Sequence, residues 1–256
     1  MPLRLTLKST TTSLVILALI AGGVVATRGR PDAGSAPSRC APTAVDCLER
    51  EDGQQETSPA PLRAADFCRN VGYLCAELDA SSTRLGQRDE IVLRRWRDFD
   101  GTMVVHVPLP DIDDPTIARN LQRAAAQGVR AWNNQPFPVL ADLRGDRDPN
   151  FAIRWTSRLG GTQIGLARTR WSDAGGLEVE HLELATRAVY GDGAWADPGR
   201  IRLTAAHEMG HALGLGHSDS ERDVMYPTNT ATSVSARDRR SMEVLYQTPD
   251  GTVIRR

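Results

Sequence analysis

The residues best suited to chemistry in this 256-residue chain lie at 207–217 and read His-Glu-Met-Gly-His-Ala-Leu-Gly-Leu-Gly-His. On a helix, His207 and His211 stand four residues apart, so they share one face, one turn above the other. That spacing lets two imidazoles reach a single zinc ion. Glu208 sits beside the first of them, on the helix edge that looks toward the metal's open position. Gly214 is expected to break the helix, because glycine takes a left-handed backbone cheaply at a helix end. The chain then turns and His217 returns as a third ligand. Three neutral nitrogens plus one open position make a catalytic zinc arrangement, not a structural one. The chemistry is hydrolysis by activated water, with Glu208 as the general base.

A bare His-Glu-x-x-His also arises by accident, as two surface histidines on an unrelated helix. The longer pattern is more restrictive, since it adds Gly214 and His217 and uses three of only five histidines. Downstream, Met225-Tyr226-Pro227 supplies the methionine turn that the long motif requires beneath the metal. Residues 207–217, Ser218 and Met225-Tyr226-Pro227 together resemble the metzincin clan of metallopeptidases. Within it they are most similar to the matrixins, which carry serine after the third histidine where astacins and adamalysins carry an acid. The resemblance is strong over 198–228, looser from about 95 to 248, and does not cover the first 90 residues.

The resemblance implies a secreted zinc endopeptidase of α+β class. It implies a twisted, mostly parallel sheet with an antiparallel edge strand, a long backing helix, a zinc-site helix and a C-terminal helix. In that family Met225 would support the metal from below without ligating it. Gly165, Leu166 and Ala167 would lie on the edge strand above the cleft and pair with an extended substrate backbone. Tyr226 and Pro227 would open the segment that lines the pocket for the side chain after the cut bond. Matrixins also hold a second, structural zinc and calcium through histidines and acids in a Gly-rich loop. Here His181 stands alone in an acidic strand and His106 lies on the first strand, so only the one catalytic zinc is supported.

Several elements must position this site. Residues 103–109 are β-rich and read as a first strand. Asp114-Pro115 gives an N-cap and a first-turn proline, and Ile117, Leu121, Ala125, Val129 and Trp132 recur at helical spacing over 115–133. Short strands follow at 137–143, 151–156, 163–170 and 177–184, separated by Gly/Asp-rich turns. Asp197-Pro198 repeats the start signal before the histidine helix. A last helix spans 235–246, with Ser235 and Asp238 as a variant capping box.

Residues 1–26 read as an export signal: Arg4 and Lys8 precede a run of about a dozen apolar residues, too short for the roughly twenty of a spanning helix. If uncut, the same segment would anchor the chain in a membrane. Residues 27–90 read as a Pro/Ala/Ser-rich linker or pro-segment, and 91–256 as the catalytic domain. Cys40, Cys47, Cys68 and Cys75 are an even set that fits two disulfides in an oxidising compartment, with three connectivities open. Residues 37–42 also resemble, in part, the matrixin segment whose cysteine caps the zinc. The expected glycine and final aspartate are missing, so a disulfide at Cys40 is the plainer reading. A net charge of −1 points to no nucleic acid. The expected partners are protein or peptide substrates, with no stable membrane span after signal removal and a monomeric state. The alternative is an exported zinc-containing module that cleaves nothing, and Glu208 argues against it, since a structural site has no use for that carboxylate.

Overall fold

The structure is a computed structural model that describes residues 60–78, 88–97, 99–172, 176–189, 193–228 and 230–256. The export signal, Cys40 and Cys47 lie outside the described residues. The first elements are β1 (Leu62–Arg63), α1 (Ala64–Phe67), β2 (Glu90–Val92), β3 (Met103–His106) and α2 (Pro115–Arg130). Four strands come next: β4 (Val139–Asp142), β5 (Phe151–Thr156), β6 (Gly165–Ser172) and β7 (Gly176–Ala185). Then α3 (Pro198–Ala212), α4 (Ala236–Gln247) and β8 (Val253–Arg255) complete the chain.

The main sheet has the order β4-β3-β5-β7-β6. Its first four strands pair in parallel, and β6 lies antiparallel at the edge, as the resemblance implies. Parallel neighbours need crossovers, and α2 supplies the long one between β3 and β4. Asp114 caps α2 by accepting from the Thr116 and Ile117 N–H groups at 2.8 and 3.1 Å. The helix buries Leu121, Ala125 and Val129, the stripe expected from the spacing. Trp132 is fully buried just beyond it, and its Nε1 donates to Ala206 O on α3 at 2.7 Å. α2 and α3 approach so closely that a Cβ on Gly128 would sit 2.3 Å from Arg202 O.

A second sheet was not legible in the sequence. Its order is β1-β8-β2, joining residues near 62 and 90 to the C-terminal strand. The stretch expected as linker or pro-segment therefore contributes β1, the first residue of β2 and a Cys68–Cys75 disulfide. Tyr73, Ala76 and Leu78 join the same apolar core as Met103, Leu213 and Leu245. No helix among the described residues is long and apolar enough to cross a membrane.

Candidate metal centre

The ends of α3 explain how its histidines come to be placed. Asp197 caps the start by accepting from the Arg200 N–H at 2.9 Å, and Pro198 occupies the first turn, where a missing N–H is harmless. At the other end Gly214 takes φ 102°. Its N–H donates to His211 O at 2.9 Å and the Leu215 N–H to Gly210 O at 3.0 Å, the paired bonds of a glycine-terminated helix. Side chains satisfy the last carbonyls: Trp96 Nε1 donates to Ala212 O at 2.8 Å and the Tyr246 hydroxyl to Leu213 O at 3.0 Å. The chain reverses there, and His217 comes back beside His207 and His211.

The three ring centroids lie 4.7, 4.8 and 5.3 Å apart, and one ring nitrogen from each histidine lies within 4.8 Å of the others. His207 Nδ1 is 2.7 Å from Val224 O, and His211 Nδ1 is 2.8 Å from Leu215 O. A carbonyl only accepts, so both Nδ1 atoms carry the proton and both Nε2 atoms present lone pairs. Those Nε2 atoms face each other at 3.1 Å. Two acceptors at that distance with no proton between them repel, and a cation resolves the conflict. Burial holds His207 down at about 4 and His211 at about 3. His217 is also lowered by burial, against the pull of the Glu77 carboxylate. The rings are thus neutral near pH 7, the state in which imidazole ligates a metal. Three such nitrogens suit zinc.

Glu208 is buried beside them, and burial pushes its carboxyl up to about 8, with the Ala167 N–H pulling the other way. The edge strand β6 lies directly on this group, since a Cβ on Gly165 would sit 2.7 Å from Glu208 Oε1. Under the site, Met225 is fully buried against α3, where a Cβ on Gly210 would come within 2.2 Å of its Sδ. Asp238 fastens that turn. It is wholly buried and accepts from the N–H groups of Val224 at 2.9 Å and Met225 at 3.4 Å, and from the Tyr73 hydroxyl at 3.0 Å.

A single cleft runs over the imidazoles and Glu208, and Gly165, Leu166, Ala167 and Pro227 all line it. Tyr226 is not in that lining; it is buried, with its hydroxyl 3.4 Å from Glu221 Oε1. Tyr73, Glu77, Arg88 and Arg94 line the cleft too, residues that sequence reasoning did not place at the site. They come from a stretch with no ligand spacing or period to mark it. His106 and His181 stand outside the site, and His181 Nε2 contacts Glu183 Oε1 at 3.0 Å.

Against known families, residues 142–247 match the matrixins. Those residues form a matrixin domain. Macrophage metalloelastase of Rattus norvegicus is 45% identical over 53 residues, 18% of this chain and 11% of that protein. Macrophage metalloelastase of Oryctolagus cuniculus is 44% identical over 54 residues, 19% of this chain and 11% of that protein. The chain thus matches about a tenth of the length of these curated relatives. The matrixin match spans β5 through α4, which includes the histidine triad, Glu208 and the methionine turn.

Proposed function

We propose that the matrixin domain is a zinc endopeptidase that hydrolyses internal peptide bonds of proteins or peptides. His207, His211 and His217 would hold the ion and Glu208 would act as general base. The observation that carries this reading is the facing pair of Nε2 lone pairs at 3.1 Å, each ring fixed from behind by a backbone carbonyl. Bound zinc would polarise the scissile carbonyl and lower the pKa of a water molecule toward 7.

The chain's own residues do the rest. Burial raises the Glu208 carboxyl, and beside a zinc ion it would be drawn back to the ionised form that takes a proton from water and returns it to the departing amine. Hydrolysis of this kind needs no covalent enzyme intermediate. Val224 O and Leu215 O orient the imidazoles as outer partners, and such partners tune both ring orientation and metal affinity. The exposed edge of β6 at Gly165, Leu166 and Ala167 is placed to take an extended peptide as an added strand. Pro227 lines the same cleft.

Export belongs to the same reading: residues 1–26 act as a signal and the Cys68–Cys75 disulfide suits an oxidising compartment. The testing variant is Glu208→Gln. It is expected to keep about one zinc per chain while losing a hundredfold or more of its cleavage of an unfolded protein, about the contribution of a general base. A variant that cleaves as well as wild type would overturn the role of Glu208. A zinc-loaded wild type that cleaves nothing would favour the binding-module alternative.

A further inference from the structure

Among the described residues, the charged side chains lining the cleft are Glu77, Arg88, Arg94, Arg200 and Glu208, besides the imidazoles. Glu77 is paired with Arg88 at 2.8 Å. Glu208 belongs to the reacting centre. Arg94 and Arg200 remain, both exposed and without a carboxylate partner among the described residues. Asp197, three residues before Arg200, uses its carboxylate to cap α3.

The two arginines bracket the site. Arg200 lies in the first turn of α3. Arg94 lies past the other end: its carbonyl oxygen is 2.2 Å from where a Gly214 Cβ would sit, and its guanidinium stacks 4.3 Å from the Trp171 ring. At about 1.5 Å per helical residue, these positions stand roughly 10 Å to either side of His207. The strand β6 runs the same course. Gly165 abuts Thr204 and Glu208 at one end, Trp171 lies under Arg94 at the other, and the strand is a sheet edge. An extended peptide added to that edge advances about 3.3 Å per residue. Its residues about three positions from the metal site would then pass the two guanidiniums.

We propose that Arg94 and Arg200 select peptide substrates with acidic side chains, one on each side of the cut bond and about three residues from it. This deepens the peptidase reading above and rests on it. Guanidinium is the cation best shaped for a carboxylate, because its fork donates two parallel hydrogen bonds. Both arginines are solvent-exposed, so each contributes a modest factor that salt screens.

The test uses one peptide sequence carrying Glu, Gln or Lys at the third position before or after the cut. Wild-type kcat/KM should rank Glu above Gln above Lys, with Glu favoured about two- to fivefold at each position. The preference should shrink as salt rises from about 0.05 to about 0.5 M. Arg94→Gln should bring the Glu-to-Gln ratio toward one on one side of the cut, and Arg200→Gln on the other. A wild type that ranks Lys first, or ratios that neither substitution changes, overturns the proposal. The same peptides bound to zinc-loaded Glu208→Gln, followed by tryptophan fluorescence, separate the two readings. Binding that ranks by charge while the wild type cleaves nothing sinks the peptidase and keeps the selectors. Binding blind to charge sinks the selectors whatever the wild type does.

Discussion

At Gly210 two preferences oppose each other, and their sizes decide the outcome. Alanine in a helix interior is better than glycine by about 1 kcal/mol. Yet a Cβ here would sit 2.2 Å from Met225 Sδ, and Met225 has no exposed surface into which to retreat. Gly210→Ala should therefore destabilise the zinc-free protein by about 1–3 kcal/mol, as overpacking does. It should also weaken zinc binding, because it displaces α3 one residue from His211. Urea unfolding and a competitive zinc titration measure the two effects. Asp238 gives a second expectation. It gathers the Val224 and Met225 N–H groups and the Tyr73 hydroxyl in a buried position, so Asp238→Ala orphans several donors at once. The expected loss is about 3 kcal/mol or more, against about 1 for Tyr73→Phe, where one bond is lost and the shape is kept. Equal effects of the two in urea unfolding would contradict this account of the turn. Of these groups, Met225 and the three histidines were legible in the sequence because their spacing is local. The bond from Tyr73 to Asp238 was not, because a hydrogen bond spanning 165 residues leaves no pattern along the chain.

Among elements, legibility followed length. The sixteen-residue α2 was readable because Leu121, Ala125 and Val129 repeat over several turns and Asp114-Pro115 marks its start. The capping box of Ser235 and Asp238 was readable for the same local reason and is present with both bonds. β1 and β8 have two and three residues, too few to show a period, and they meet only through the tertiary fold. This sets an expectation for the N-terminal segment. Removing residues 1–59 serves as the reference, because it leaves every described element in place. Removing residues 1–88 takes away β1, the Cys68–Cys75 loop and buried Tyr73 and Leu78, and should lower Tm by several degrees or more. Equal Tm values for the two truncations would show that the segment adds nothing to the fold. The crossing of α2 over α3 carries its own prediction. A Cβ on Gly128 would meet Arg202 O at 2.3 Å, backbone that cannot swing aside, so Gly128→Ala should cost about 2 kcal/mol or more in urea unfolding despite its better helix propensity.

For the whole molecule, the imidazoles set a dependence on pH. Burial lowers His207 to about 4 and His211 to about 3, below the 6.5 of an exposed ring. The unfolded chain then binds more protons than the folded one between those values, so stability falls as pH drops. The Glu208 carboxyl, raised to about 8, acts the other way, so zinc-free protein should gain some stability from pH 8 to about 6.5 and then lose it toward pH 4, where the two imidazoles outweigh the one carboxyl. Thermal unfolding across that range checks the sign, and a Tm that rises as pH falls from about 6.5 to about 4 would contradict the burial of these rings. The most direct test of the central claim is cleavage of a peptide library by the purified mature protein, before and after a chelator and again after zinc is returned. Internal bonds should be cut, cutting should stop with the chelator, and zinc should restore it. Cleavage that persists without metal, or its absence with zinc bound, would contradict a hydrolase built on His207, His211 and His217.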